Sequence, residues 1–252
     1  KSLALAMLPV FGVLVLFGLM AKNNPLRAAA KPRWRDYAAV MREPDTGWFC
    51  FFYSFTFGGF VGLASFLTIF FHDQYLLPKV KAGDFTTIVV VAGSFLRPVG
   101  GWLADKIGGY RLLLILLSGL SCCLAGVGTL PSLPVVVVLL FVAMGMLGMG
   151  NGAVFQLVPQ RFSQRVGIVT GLVGAAGGLG GFLLPSILGA VKDRTGQYSL
   201  GLFLFAAAFL LAAFVLLQLG RVWRTAWSSP SVERAGIFCY RSYARSWANS
   251  EN

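Results

Sequence analysis

An arginine lies inside an apolar run of this chain, in the stretch GSFLRPVGGWLADKIGGYR that begins at Gly93. A charge in hydrocarbon costs about 3 kcal/mol on insertion scales, so such residues are rare and usually functional. The guanidinium of Arg97 presents a planar fork of donors, which suits a small planar oxyanion. Pro98 follows it and removes a backbone donor, which a helix tolerates where a cavity or a neighbour satisfies the freed groups. Together these features favour anion binding by Arg97 within the membrane.

Snorkelling is the alternative role for Arg97. Eight residues separate it from Asp105, which corresponds to about 12 Å along a helix. A long side chain can cover part of that distance and place its charge near the lipid headgroups. In that case Arg97 would have no ligand.

The composition indicates an integral membrane protein. Of the 252 residues, 57% are hydrophobic and 12% are charged, against about 25% charged in soluble domains. Long apolar runs recur near the roughly 20 residues that a helix needs to cross a bilayer, and they lack the alternation of barrel strands. The sequence therefore predicts an all-α membrane protein with about seven transmembrane helices. We place these spans at residues 3–20, 47–71, 84–103, 112–130, 135–159, 167–191 and 200–220.

The basic residues indicate an orientation. Of the 21 Lys and Arg residues, 15 fall on one side of the predicted spans, 5 fall on the other side, and Arg97 lies within a span. The positive-inside rule places the side with more charge, which includes the carboxyl terminus, in the cytoplasm. Because the net charge of +12 follows the loops, it predicts contact with anionic membrane lipid and no nucleic-acid partner.

Four regions follow from this pattern. Residues 1–20 form a transmembrane helix, and residues 21–46 form a basic cytoplasmic loop. Six closely spaced spans occupy residues 47–220, and residues 221–252 form a basic cytoplasmic tail that we expect to be poorly ordered.

Glycines and amides mark two of the later spans. Glycines at positions 167, 171, 174, 178 and 181 recur at intervals of four and three residues, so they share one helical face. Such a face lets another helix or a ligand approach closely. Asn151 and Gln156 place amides in the neighbouring apolar run, where an amide needs a partner.

The third span ends in GGWLADKIGGYR, a tight turn between two helices. It resembles the G-x-L-x-D-x-x-G-x-R signature that the major facilitator superfamily carries between the second and third helices of each half. The matching residues are Gly101, Leu103, Asp105, Gly108 and Arg111, with Lys106 directly after Asp105. The resemblance implies the superfamily's C-terminal six-helix bundle plus one preceding helix, with residues 21–46 as the central loop.

A closer resemblance rests on GNGAVFQLVPQRF followed by GLVGAAGGLGGFLLP. The pair is similar to the nitrate/nitrite porter family, and residues 171–185 resemble its second nitrate signature. The resemblance implies that Arg97 is the anion-binding arginine of this half. It also implies that Tyr53 and Phe57, in FFYSFTFGGFVGLASF, hydrogen-bond and sandwich the anion. The remaining predicted substrate-binding residues are Asn151, Gly171, Gly174 and Gly178.

In this family two arginines hold the anion, one from each half, and the first-half arginine would precede this chain. The resemblance thus implies half a site, which needs the missing N-terminal half as its partner. The expected function is secondary active transport of nitrate, nitrite or both by alternating access, in a bacterial inner or plasma membrane. The alternatives are a major facilitator transporter of another small anion and an inactive membrane remnant or scaffold.

An enzyme is disfavoured. The spans contain no paired carboxylates and no activated nucleophile, so we predict no catalytic residues. The four cysteines show no CxxC spacing and His72 is the single histidine, so we expect neither a metal site nor a cofactor.

Overall fold

The computed structural model describes residues 2–21 and 33–237, and these residues form helices without a strand. Residues 22–32 of the predicted central loop and residues 238–252 of the predicted tail lie outside the described residues. The chain divides into two compact units, Lys1–Trp34 and Arg35–Asn252. The first unit contains α1 (Ser2–Met20), an apolar helix whose side chains from Met7 to Met20 are exposed.

The second unit is a helical bundle. It begins with α2 (Trp34–Met41), which starts one residue before the unit boundary. Its other elements are α3 (Pro44–Tyr53), a π-helical turn (Ser54–Gly58), α4 (Gly59–Tyr75), α5 (Lys79–Ile107), α6 (Gly109–Gly128), α7 (Leu133–Arg161), α8 (Val166–Thr195), α9 (Ser199–Ala226) and α10 (Ser229–Arg234).

Six helices are long and apolar enough to cross a membrane, and the first runs without a break from Pro44 to Tyr75 through the π turn. The predicted all-α membrane fold is confirmed, with α1 as an additional shorter apolar helix. Several helices extend past the predicted spans. For example, α5 begins at Lys79 rather than at residue 84, because charged residues can continue a helix beyond the hydrocarbon.

The six long helices, counted with Pro44–Tyr75 as one, alternate in direction along the chain, so their ends lie at two opposite ends of the bundle. We call one end the tail face, because α9 ends there. The helix ends on the tail face are Pro44, Ile107, Gly109, Arg161, Val166 and Ala226.

A buried carboxylate ties three helices together at the tail face. Asp45, at the start of α3, accepts hydrogen bonds from Trp223 Nε1 at 2.8 Å and Trp227 Nε1 at 3.1 Å. Arg161 Nε, at the end of α7, donates to the same carboxylate at 2.5 Å. The two indole rings stack with centroids 4.8 Å apart. The start of α3 and the ends of α7 and α9 therefore form one connected group.

The opposite face has its own polar cluster. Lys192 of α8 donates to Asp73 of α4, and the hydroxyl of Tyr198 donates to the same carboxylate at 2.9 Å. Burial raises the pKa of Tyr198, so its hydroxyl keeps the proton that it donates. These contacts link α4 to the junction between α8 and α9.

Glycines bring α5 and α7 into direct backbone contact. A Cβ atom added at Gly148 would lie 2.7 Å from the carbonyl carbon of Gly93, and one added at Gly152 would lie 2.9 Å from that of Gly100. Neither position accepts a side chain without a shift of backbone. This packing fixes the rotation of α5 and hence the direction in which Arg97 leaves it.

Part of the predicted tail, residues 221–237, is described by the structure. There α9 continues to Ala226 and α10 follows. Trp223, Trp227, Val232 and Ile237 are buried there, with at most 6% of their surface exposed. The prediction from charge overlooked these apolar residues, which give residues 221–237 a surface to bury.

Candidate functional site

Arg97 lies on α5 and its side chain turns toward the helix formed by α3, the π turn and α4. The guanidinium carbon lies 4.5 Å from the centroid of the Phe60 ring and 5.5 Å from that of Phe57. Phe60 lies 16 residues after Pro44 and 15 residues before Tyr75, near the midpoint of that span. The charge is therefore held at mid-span by aromatic rings, and the snorkelling alternative does not describe it.

The charge of Arg97 is incompletely compensated. Its Nε atom is buried without a hydrogen-bond partner among the described residues. Every Asp and Glu in the described part of the chain lies within about five residues of a helix end. Cation–π contacts contribute about 0.5–2 kcal/mol each, which is comparable to or below the cost of placing the charge there. The guanidinium of Arg97 therefore keeps N–H donors that can bind an anion.

Phe57 lies beside Arg97, and Tyr53 stacks on Phe57. Their rings are parallel, with centroids 5.2 Å apart and an interplanar angle of 4°. Phe155 of α7 packs against Tyr53 with a centroid distance of 4.7 Å. One face of the Phe57 ring is thus covered by Tyr53, and the arginine approaches the same ring. Tyr53, Phe57, Phe60 and Phe155 form one connected group with Arg97, and we call these four rings the aromatic cluster.

The π turn positions this cluster. Its hydrogen bonds skip one residue more than those of an α-helix, and such turns are found frequently at functional sites. Ser54 Oγ donates to the carbonyl oxygens of Cys50 at 2.8 Å and of Ala176, on α8, at 2.9 Å. A Cβ atom added at Gly58 would lie 2.6 Å from the carbonyl carbon of Gly180, also on α8. Contact with α8 therefore stabilises the turn that carries Phe57.

Two amides on α7 have different surroundings. Gln156 is bonded at both ends of its amide, because its Oε1 accepts from Gly109 N at 3.1 Å and its Nε2 donates to Arg234 O at 3.1 Å. Asn151 is 5% exposed, and neither its Oδ1 nor its Nδ2 has a partner among the described residues. It lies one turn before Phe155 and so faces the same side as the aromatic cluster. Gln156 is a structural amide, whereas Asn151 remains a candidate ligand.

A buried hydroxyl near Asn151 was not predicted. Thr56, within the π turn, is fully buried and its Oγ1 has no partner among the described residues. A Cβ atom added at Gly150 would lie 2.7 Å from Thr56 Cγ2, so Thr56 and Asn151 border the same helix contact. Phe60 was also missed, although it lies three residues after Phe57 and so falls on the same helical face.

The glycines on the predicted face of α8 have two kinds of surroundings. Gly181 packs against Val61, at 3.1 Å from an added Cβ atom. Nothing lies within 4 Å of an added Cβ atom at Gly167, Gly171, Gly174 or Gly178 in the described part of the chain.

Another α8 glycine makes the contact with the site. A Cβ atom added at Gly177 would lie 2.6 Å from Tyr53 Cδ1 and 2.9 Å from Phe57 Cδ1. Among the described residues, the close contact of α8 with the site is therefore made at Gly177, and the π turn that α8 contacts sets its rotation.

The signature turn between α5 and α6 lies at the tail face. Gly108 ends α5 with a φ of +88°, a conformation that favours glycine. Asp105 is exposed and lines a cleft with Gly101 and Gln156. The backbone amide of Gly109, in this turn, donates to Gln156 Oε1.

The profile of the Major Facilitator Superfamily matches residues 2–185. The chain therefore belongs to this superfamily of membrane proteins, in agreement with its helical bundle and its signature turn.

Relatives refine the assignment. The nitrite extrusion protein of Bacillus subtilis is 38% identical over 216 residues, which are 84% of this chain and 53% of that protein. The probable nitrate/nitrite transporter NarK2 of Mycobacterium tuberculosis is 36% identical over 74% of this chain and 48% of its own length. The probable nitrate/nitrite antiporter NarK1 of Thermus thermophilus is 29% identical over 84% of this chain and 51% of its own length.

The chain is a member of the nitrate/nitrite porter family, and its relatives are named as transporters rather than enzymes. It spans about half the length of the curated relatives that it matches.

Proposed function

We propose that this chain supplies one half of a secondary transporter that carries nitrate, nitrite or both across a bacterial plasma membrane. The observation that carries the proposal is the mid-span guanidinium of Arg97, held over Phe57 and Phe60 and without a carboxylate partner in the described residues. The names of the relatives point to nitrate and nitrite as the anions.

Arg97 binds the anion with its guanidinium N–H groups. Its fork of donors matches two oxygens of a planar oxyanion. The rings of Phe57 and Phe60 contact the cation and orient it. Because an arginine stays protonated near neutral pH, it supplies charge and does not carry a coupled proton.

Tyr53 and Asn151 complete this half of the site. The phenol of Tyr53 and the unpartnered amide of Asn151 each supply a donor, and both residues are buried. The open face with Gly171, Gly174 and Gly178 is where the second half packs, or where the anion passes. The two halves then rock about the site in alternating access. The second half supplies the other arginine, either from the same reading frame or from another chain.

We also propose that the tail face is cytoplasmic. In the described part of the second unit, basic residues concentrate at this end, as the positive-inside rule requires of a cytoplasmic side. These residues are Arg35, Arg42, Lys106, Arg111, Arg161, Arg165, Arg221, Arg224 and Arg234. Green fluorescent protein folds in the bacterial cytoplasm but not after export, so its fusion after residue 252 should be fluorescent. If that fusion is not fluorescent and a fusion of alkaline phosphatase at the same position is enzymatically active, the orientation is the reverse.

Transport is tested in proteoliposomes that contain the product of the complete reading frame around residues 1–252. Uptake of isotopically labelled nitrate is measured against internal nitrite. We expect counterflow that unlabelled nitrite inhibits and acetate does not. Equal inhibition by acetate would favour the alternative of a transporter for another small anion, and no counterflow would favour an inactive remnant or scaffold.

The role of Arg97 is tested with Arg97→Lys. A lysine keeps the charge but loses the planar fork, so we expect uptake to fall at least about tenfold, since hydrogen bonds to charged groups are worth about 1.5–3 kcal/mol. Arg194→Lys, at an exposed position on the opposite face, is the matched control and should keep its uptake. If Arg97→Lys transports like the unmodified protein, Arg97 is not in the site.

A further inference from the structure

The segment Ser228–Ile237, which we call the strap, lies against the signature turn. Tyr110 N, in the first turn of α6, donates to Ala235 O at 2.9 Å. Gln156 of α7 binds both partners at once, since it accepts from Gly109 N and donates to Arg234 O. The strap, the turn and α7 are thus joined by three hydrogen bonds that involve two adjacent backbone amides of the turn.

The strap and the turn touch through two glycines. A Cβ atom added at Gly236 would lie 2.6 Å from Ile107 O and 2.8 Å from Gly108 Cα, and one added at Gly108 would lie 2.5 Å from Gly236 N. Both glycines have positive φ, at +88° for Gly108 and +75° for Gly236. A side chain at either position would separate the two backbones.

The strap also buries its own apolar residues. Val232 and Ile237 are each 2% exposed and Ala235 is fully buried, whereas Glu233 and Arg234 are exposed. Ile237 N donates to Val232 O at 3.1 Å and Gly236 N to Glu233 O at 3.0 Å, which closes the end of α10. Trp227, bound to Asp45, fixes the residue before the strap. These buried residues and hydrogen bonds give the strap one defined position against the bundle.

We propose that the strap is a releasable clamp that keeps the turn between α5 and α6 ordered. The strap contains one short helix, α10, of six residues, and three hydrogen bonds join it to the turn and α7, so the strap should open locally at much lower free energy than the bundle unfolds. When docked, it joins the tail-face ends of α5, α6 and α7 into one body. One consequence rests on the proposed function: the undocked protein transports more slowly, because the turn no longer moves with the bundle.

Hydrogen exchange tests the clamp without any transport measurement. The product of the complete reading frame, in lipid nanodiscs, is compared with Gly236→Val and with a chain that ends at Trp227. We expect the amides of residues 107–111 to exchange at least about tenfold faster in both variants. Gly196→Val is the matched control, since Gly196 has a φ of +73° but nothing within 4 Å of an added Cβ atom; it should leave this exchange unchanged.

Thiol labelling gives a second readout. In a cysteine-free background, Ile237→Cys should react with a maleimide at least about tenfold more slowly than Glu233→Cys, and addition of Gly236→Val should remove the difference. Equal labelling in the unmodified background, or unchanged turn exchange in the shortened chain, would overturn the clamp. If nitrate uptake is unchanged in the two variants that release the strap, the clamp is not coupled to transport. If the unmodified protein takes up no nitrate, the proposed function is contradicted, and hydrogen exchange still decides whether the strap orders the turn.

Discussion

The guanidinium carbon of Arg97 lies 4.5 Å from the centroid of the Phe60 ring, at the middle of the span that begins at Pro44. This contact connects the charge on α5 to α4, which carries no counter-charge at that level. Aromatic faces attract a cation without neutralising it. An arginine held in this way is oriented and still able to bind an anion.

Phe60→Leu should weaken anion binding more than it weakens the fold. The leucine fills most of the volume but loses the cation–π contact, which is worth about 1 kcal/mol, so we expect the Kd for nitrate to rise about fivefold. Phe66→Leu is the control, since Phe66 is as buried as Phe60 but packs on Phe70 and Tyr198. Equal nitrate affinities of the two variants, measured by calorimetry, would speak against the role of Phe60.

Gly177→Ala should disturb the aromatic cluster, because its Cβ atom would lie 2.6 Å from Tyr53 Cδ1. We expect a loss of about 1–3 kcal/mol in stability, typical of overpacking, and a higher Kd for nitrate. Gly189→Ala, on the same helix with nothing within 4 Å of the added atom, should leave thermal stability in detergent unchanged or slightly higher, because alanine favours a helix more than glycine does. Similar melting temperatures for both variants would show that the Tyr53 ring moves aside without cost.

The features that follow from local sequence could be predicted. Apolar runs determine where helices cross the membrane, and a lone charge such as Arg97 is conspicuous within one. The contacts of α8 could not be predicted, because the helix carries two glycine faces that the sequence does not distinguish. One face has glycines at positions 171, 174 and 178, and the other has them at 177, 180 and 181. The π turn that carries Thr56 and Phe57 likewise depends on α8, because Ser54 bonds to Ala176 O. The position of the strap could not be predicted either, because it depends on contact between Gly108 and Gly236, which are far apart in sequence.

Asp45→Ala should destabilise the tail face. The substitution removes the acceptor for the indole N–H groups of Trp223 and Trp227 and for Arg161 Nε, while Arg161 keeps its longer contact with Glu43. Loss of one partner of a buried pair costs about 3–5 kcal/mol, and we expect a cost of about 3 kcal/mol because Arg161 is partly exposed and retains Glu43. Asp193→Ala, at an exposed position on α8, is the control. Thermal unfolding in detergent, followed by tryptophan fluorescence, reports on the cluster directly.

Asn151→Leu separates a ligand from a structural amide. Neither polar atom of Asn151 has a partner among the described residues, so its burial costs free energy unless a ligand binds it. Leucine removes that cost, and we expect an unchanged or higher melting temperature together with at least about fivefold weaker nitrate binding, the value of one lost hydrogen bond.

Gln156→Leu should behave in the opposite way. It removes the bonds to Gly109 N and Arg234 O, so the melting temperature should fall while the Kd for nitrate stays the same. A lower melting temperature for Asn151→Leu with unchanged affinity would assign Asn151 to the fold. The comparison is informative because the two amides lie on the same helix five residues apart, and the structure assigns partners to one and not to the other.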